Sequence, residues 1–160
     1  MKAIPLRCAK AVPKEALKRY PGVQFLDARL VAGMEHLEFA ISQAEKAFQR
    51  GENISSDPLF EVLVRASAQR QIKRALELVG LKGGREVILL CHEVPEALLQ
   101  EYGCREDPGV LAIGRDKYEL LKEAFGIGEA ELDAVAGEGF AERSTALVEA
   151  IKERIAILQV

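Results

Sequence analysis

Glu86-Val-Ile-Leu-Leu-Cys91, entered through Gly83-Gly84, is the stretch that decides the fold. It is too short and too β-branched for a helix of ordinary length. Its apolar run is also unbroken, whereas a half-exposed strand alternates. A strand of this kind is buried on both faces and belongs in the middle of a sheet. Helices are therefore expected to cover that sheet.

Working outward, Val23-Gln-Phe-Leu-Asp-Ala-Arg-Leu-Val-Ala32 reads as a second strand, ended by Gly33. Met34 to Gln49 is a helix, because Leu37, Ala40, Ile41, Ala44 and Phe48 share one stripe of period 3.6, and Gly51 stops it. Ser55-Ser-Asp-Pro58 opens the next helix, with Asp57 as N-cap and Pro58 at the first helical position. The pattern predicts one helix from Pro58 to Val79, bent at Ser67 and closed by Gly80. Downstream, a short helix runs from Pro95 to about Tyr102, and Val110-Leu-Ala-Ile113 is a candidate strand. Lys117 to Phe125 is helical, Gly126 to Glu142 is an acidic loop, and Arg143 to Ile157 is a closing helix. The expected fold class is mixed α/β (α+β): a small, largely antiparallel sheet packed with several helices, in a single domain over 1–160.

Composition narrows the function. Hydrophobic residues make up 49% and charged residues 29%, the balance of an ordinary globular protein. No apolar run approaches the roughly 20 residues that cross a bilayer, so no membrane role is expected. Met1-Lys2-Ala3-Ile4-Pro5 has no signal-peptide character, which points to the cytoplasm. Cys8, Cys91 and Cys104 are odd in number and widely spaced, and are expected to be buried reduced thiols. With only His36 and His92 there is little material for a metal site, and no metal or other cofactor is expected. His36, at a helix start, is expected on the surface.

Catalytic motifs are missing. Gly126-Ile-Gly128 and Gly137-Glu-Gly139 follow no strand and are lined by acid, which repels phosphate. Ser67 has no histidine near it in sequence and is expected to bond a carbonyl one turn back. Asp27 and Glu61 are the only pairing worth weighing as acid and base, and each has a commoner use as a partner for backbone or arginine. No catalytic residue is expected.

The candidate binding site is Leu63-Val-Arg-Ala-Ser-Ala-Gln-Arg-Gln-Ile72. From 65 to 85, Arg65, Arg70, Lys73, Arg74, Lys82 and Arg85 face Glu77 alone, a local charge of +5. The whole chain carries −3, so the remainder carries −8. A concentrated basic site on an acidic body suits one defined anion. Gln and Arg also make directional, paired hydrogen bonds to phosphates and base edges. The solvated-face alternative needs carboxylates one turn away. Glu61 can meet Arg65, and Glu77 can meet Lys73 or Arg74, but Arg70 has none at four residues' distance. Phe39 lies off its helix's apolar stripe, and Val148 and Ile157 lie off that of the closing helix. These three are the candidates for contact with a protein partner.

Glu61-Val-Leu-Val-Arg-Ala-Ser-Ala-Gln-Arg-Gln-Ile-Lys-Arg-Ala75, ending at Gly80, resembles the signature of the kinase-binding CGI-121 family, the small subunits of the KEOPS complex. Gln24-Phe-Leu-Asp-Ala28, the helix from His36 to Ala44, the strand to Cys91 and the helix from Asp116 to Phe125 fit the same pattern. The match spans most of 23–126, and Gly126–Glu142 is longer than is usual in the family. The resemblance implies a non-catalytic regulatory subunit that binds the complex's atypical kinase and recruits tRNA through its 3′ CCA end, for threonylcarbamoyladenosine synthesis by another subunit. It also implies that Arg65, Ser67, Gln69, Arg70, Gln71, Lys73 and Arg74 form the RNA site. The competing readings are a small-molecule anion sensor or enzyme using the basic helix, and a pure protein-interaction module.

Overall fold

The computed structural model describes residues 1–159, and the side chains of 1–158. Its four strands are β1 (Lys2–Cys8), β2 (Val23–Asp27), β3 (Glu86–Cys91) and β4 (Cys104–Glu106). They form one antiparallel sheet in the order β2-β3-β1-β4. β3 is central, paired through Ile88 with both Pro5 and Leu26. Its unbroken apolar run has the expected cause. Ile88 and Leu90 enter one core, while Val87, Leu89 and Cys91 enter another on the opposite face.

The smaller core is closed by α1 (Ala16–Arg19) and α5 (Glu96–Tyr102) through Ala16, Leu98 and Tyr102. The larger core lies under α2 (Gly33–Arg50), α3 (Pro58–Ser67), α4 (Ile72–Val79), α6 (Arg115–Phe125), α7 (Glu129–Asp133) and α8 (Phe140–Ala156). α3 is its spine. Leu59, Val62, Leu63, Val64 and Ala66 are all buried, so no side of this helix faces water for long. Asp57 caps it as expected, accepting from the Leu59 N–H at 3.0 Å, with Pro58 following. The mixed α/β class with an antiparallel sheet is the observed one.

Several elements differ from the sequence reading. The second strand stops at Asp27, whose carboxylate accepts from the Arg29 N–H at 3.0 Å and turns the chain into a 3-10 turn over Ala28–Leu30. Val110 and Leu111 also lie in a 3-10 turn, capped by Asp107 on the Gly109 N–H at 2.9 Å, and form no strand. Gly126–Glu142 contains α7 and the start of α8.

The cysteines are not all reduced. Cys8 and Cys104 face each other across β1 and β4 and form a disulfide, leaving Cys91 as the buried thiol. Three cysteines are one pair and a spare. Their spacing of 96 residues is closed by strand register, which spacing alone does not display.

Candidate functional site

The expected single helix from 58 to 79 is two helices, and the break between them builds the site. Ser67 Oγ donates to the Val64 carbonyl at 2.6 Å, the back-bond expected of it, and accepts from the Gln69 N–H at 3.1 Å. Ala68 then takes φ 56° and ψ 28°. It is the one non-glycine residue at positive φ among those described, a conformation that costs about 1–2 kcal/mol. The backbone runs on through Gln69 and Arg70 to Gln71, the N-cap of α4.

The start of α4 is electrostatically unfinished. Gln71 makes no side-chain capping bond, and the first turn holds no acid. Lys73 and Arg74 stand there instead, cations at the positive end of a helix dipole. Arg70, Gln71, Lys73 and Arg74 are exposed and Gln69 is half-buried. Exposed guanidinium, ammonium and amide side chains thus follow one another at the start of α4, where the first N–H groups of a helix have no partner within it. Arg70 is also a tie within the fold: its Nη2 donates to the Leu158 carbonyl at 3.0 Å and brings the C-terminal turn to the cluster.

Arg65 and Ser67 do not share that surface. Arg65 is 1% exposed and Ser67 is buried. Arg65 Nε donates to Glu61 at 2.8 Å and its Nη2 to the Glu52 carbonyl at 3.2 Å. Their assignment to direct RNA contact is corrected: both are supports, placed inside by the apolar sequence on either side of them.

His36 was misplaced as well. It is fully buried, its Nδ1 accepting from the Ala32 N–H at 2.8 Å, so Nε2 carries the proton and donates to the Ala66 carbonyl at 2.9 Å. Burial lowers its pKa to about 4. Its ring meets the Phe125 ring edge-on and pins the start of α2 to the last turn of α3, one residue before Ser67. The signal was present: His36 lies four residues before Ala40, on the apolar stripe.

The three partner candidates differ in exposure. Phe39 is half-buried against the larger core, with the Lys152 ammonium 5.5 Å from its ring centroid. Val148 is 8% exposed and belongs to the core, but it borders an apolar groove of about 530 Å³ with Ala32, Met34, Leu111, Ile113 and Phe140. Ile157 is 65% exposed and lies nine residues further along, beside the Leu158 carbonyl that Arg70 holds.

The carboxylates weighed for catalysis are engaged. Asp27 pairs with Arg29, and Glu61 accepts from Arg65 and from the N–H groups of Ile54 and Ser55. The glycine loops are structural: Gly126 caps α6 at φ +65°, and the Glu142 carboxylate occupies the space a side chain at Gly137 would need. Among the described residues no group of three or more His, Cys, Asp or Glu side chains is placed to hold a metal, and no helix is long and apolar enough to cross a membrane.

Comparison with known proteins agrees with the resemblance in the central helix. A family model described as kinase binding protein CGI-121 matches residues 9–157. The regulatory protein Cgi121 of Methanocaldococcus jannaschii is 34% identical over 138 residues, 85% of this chain and 82% of the relative.

Proposed function

We infer the role of this chain from one premise: it belongs to the CGI-121 family of kinase binding proteins. That role is a non-catalytic regulatory subunit of the KEOPS complex, which binds the complex's kinase and presents the start of α4 to the 3′ CCA end of tRNA. The observation that carries the RNA half is the uncapped, acid-free first turn of α4, preceded by Gln69-Arg70-Gln71. A single-stranded tail offers phosphates to the cations and N–H groups, and unstacked base edges to the amides. A small anionic metabolite would call for an enclosed cavity at Arg70, whereas Arg70, Gln71, Lys73 and Arg74 lie open.

Arg70→Glu is expected to weaken tRNA binding about thirty-fold, or ~2 kcal/mol, by replacing a charge-assisted bond with repulsion. Because Arg70 also holds Leu158, Lys73→Glu serves as the companion variant and is expected to act in the same direction. Filter binding with intact tRNA and tRNA trimmed of its CCA reads the result. Equal affinity for the two tRNAs removes the assignment.

For the kinase, the apolar groove beside Val148 is the best-supported surface, since an open apolar groove is what a docking side chain fills. Phe39 and Val148 are now poor probes, because a charge at either would disturb the core. Met34, at 43% exposure, is the clean one. Met34→Asp is expected to abolish co-elution with the kinase while leaving the thermal transition of the free subunit unchanged. Undiminished co-elution would move the interface elsewhere.

A further inference from the structure

The basic run from 65 to 85 does not stay together, and its last members take no part in the site at the start of α4. The eight residues of α4, about 12 Å of helix, separate Gln71 from Gly80, and Lys82 and Arg85 follow. Strand register shows where these two lie. Arg7 stands opposite Glu86, Asp27 opposite Val87 and Cys8 opposite Cys104, so β1 and β2 end where β3 and β4 begin. The loop after β1 is laced to the turn before β3. The Cys8 N–H donates to the Arg85 carbonyl at 2.8 Å and the Val12 N–H to the Gly84 carbonyl at 3.0 Å.

These segments carry five exposed cations: Lys10 and Lys14 on the loop, Arg29 just after β2, Lys82 and Arg85 on the turn. Against them stand Asp27 and Glu15, which leaves an excess of +3 on a chain whose net charge is −3. Asp27 is shared, 2.8 Å from Arg29 and 3.9 Å from Lys82. Burial pushes the Lys82 ammonium below its usual pKa, and the Arg29 and Lys14 cations add to that against the pull of Asp27. Lys14 is therefore close to Lys82, and one carboxylate serves three cations. Lys10, Lys14 and Arg85 form no ion pair among the described residues. Arg7 and Arg105, on β1 and β4, are balanced by Glu86 and Asp107. What lies between the cations is small. Ala9, Ala11, Gly83 and Gly84 are exposed, and nothing stands within 4 Å of where a side chain at either glycine would be.

We propose that this end of the sheet holds the phosphate backbone of an RNA duplex. A protein partner needs large apolar anchors, and the exposed residues of these segments offer only two alanines. A duplex needs no anchor, because its phosphates are met by flexible cations and by main chain that they can approach closely. Lysines suit that task, since a backbone presents charge without a sequence to be read. The duplex is the stem that continues the single-stranded tail held at the other end of α4; that continuity alone rests on the functional reading above.

Three RNAs test it by fluorescence anisotropy with the whole chain: a hairpin ending in single-stranded CCA, the same hairpin trimmed of its CCA, and a single-stranded oligonucleotide ending in CCA. Lys14→Glu/Arg85→Glu is expected to weaken binding of the CCA-ended hairpin about tenfold, and to lower the slope of its salt dependence by about two. At physiological salt, where charges beyond roughly 8 Å are screened, the oligonucleotide is expected to bind this variant as it binds wild type. Lys2→Glu/Lys46→Glu makes the same change of charge at exposed residues elsewhere, Lys2 at the opposite end of β1, and is expected to alter neither. Thermal melts close to wild type are expected for both. Lys10→Gln/Lys14→Gln, which removes charge without reversing it, is expected to weaken the hairpin to a lesser degree. Undiminished hairpin binding in the folded variants overturns the proposal, and is the result expected if these cations serve an acidic protein instead. So does an equal loss in Lys2→Glu/Lys46→Glu, an equal loss for hairpin and oligonucleotide, or a wild type that binds no hairpin. If trimming the CCA changes nothing while Lys14→Glu/Arg85→Glu weakens the hairpin, the duplex site stands and the tail assignment fails.

Discussion

Glu61→Ala is expected to cost about 3–5 kcal/mol of folding stability, a large share of the roughly 5–15 kcal/mol that a domain holds in reserve. The carboxylate sits inside the most apolar helix of the molecule and satisfies three donors. Oε2 accepts from Arg65 Nε at 2.8 Å, and Oε1 accepts from the N–H groups of Ile54 and Ser55 at 2.9 and 2.6 Å. Truncation strands the Arg65 guanidinium in the interior, where only the Glu52 carbonyl remains and Nη1 already has no partner. It also orphans two backbone donors that hold the α2–α3 connection. Glu61→Gln keeps an acceptor for those donors and is expected to cost less. Urea denaturation of the three proteins decides it. A loss below about 1 kcal/mol in Glu61→Ala would mean that water reaches Arg65 and that the pair is not buried as described.

This pair shows what the sequence could and could not convey about the site. The i,i+4 spacing made the Glu61–Arg65 contact readable, and the contact is there. Whether it lay in water or in the core depended on neighbours from α2 and the Asn53–Ser55 loop, which no local pattern encodes. A decapeptide as apolar as Pro58–Ser67 was nonetheless a warning that any charge within it would be enclosed. Residue type had suggested one cluster from 65 to 74; burial splits it into a supporting half and an exposed half. The split falls at Ala68, where a glycine would have announced the break and alanine concealed it. Ser67 was the legible trace, because a short hydroxyl competes with the helix for its own backbone.

The fold divides along the same line. Local geometry was legible: Asp57 and Pro58 start α3, Gly51 ends α2 in the left-handed conformation, and the run in β3 belongs to a strand covered on both faces. Long-range register was not. β1 is broken in pattern by Pro5 and Arg7, and it is a strand because β3, some eighty residues away, aligns with it from Lys2↔Cys91 to Arg7↔Glu86. The same register brings Cys8 to Cys104. Parity and spacing of cysteines could not anticipate that pairing, since it depends on a strand they did not reveal.

Acid should act on this protein first through His36. The imidazole has a pKa of about 4 in the folded state against 6.5 in the unfolded chain. Burial is the chief cause, and the nearby Lys117 charge adds to it against the opposing bond to the Ala66 carbonyl. A proton on Nδ1 would also confront the Ala32 N–H that Nδ1 now accepts. The unfolded chain therefore binds a proton as pH falls through 6.5, while the fold refuses it until about 4. The stabilisation is complete above pH 6.5 and is lost between there and about 4. Two and a half pH units correspond to about 3 kcal/mol. Surface carboxylates such as Glu131, held low by its bonds to Arg154, lose their own contribution in acid, so the wild-type curve alone is ambiguous. His36→Gln resolves it. The variant is expected to be less stable than wild type at neutral pH, with the two stability curves converging as pH falls towards 4. Parallel curves across that window would mean that His36 titrates alike folded and unfolded. The loss would also reach the site, because the Ala66 carbonyl that His36 holds lies in the last turn before the Ser67–Ala68 break. Amide exchange at Gln69–Arg74 is expected to quicken over the same pH interval relative to His36→Gln, beyond the ordinary pH dependence of exchange.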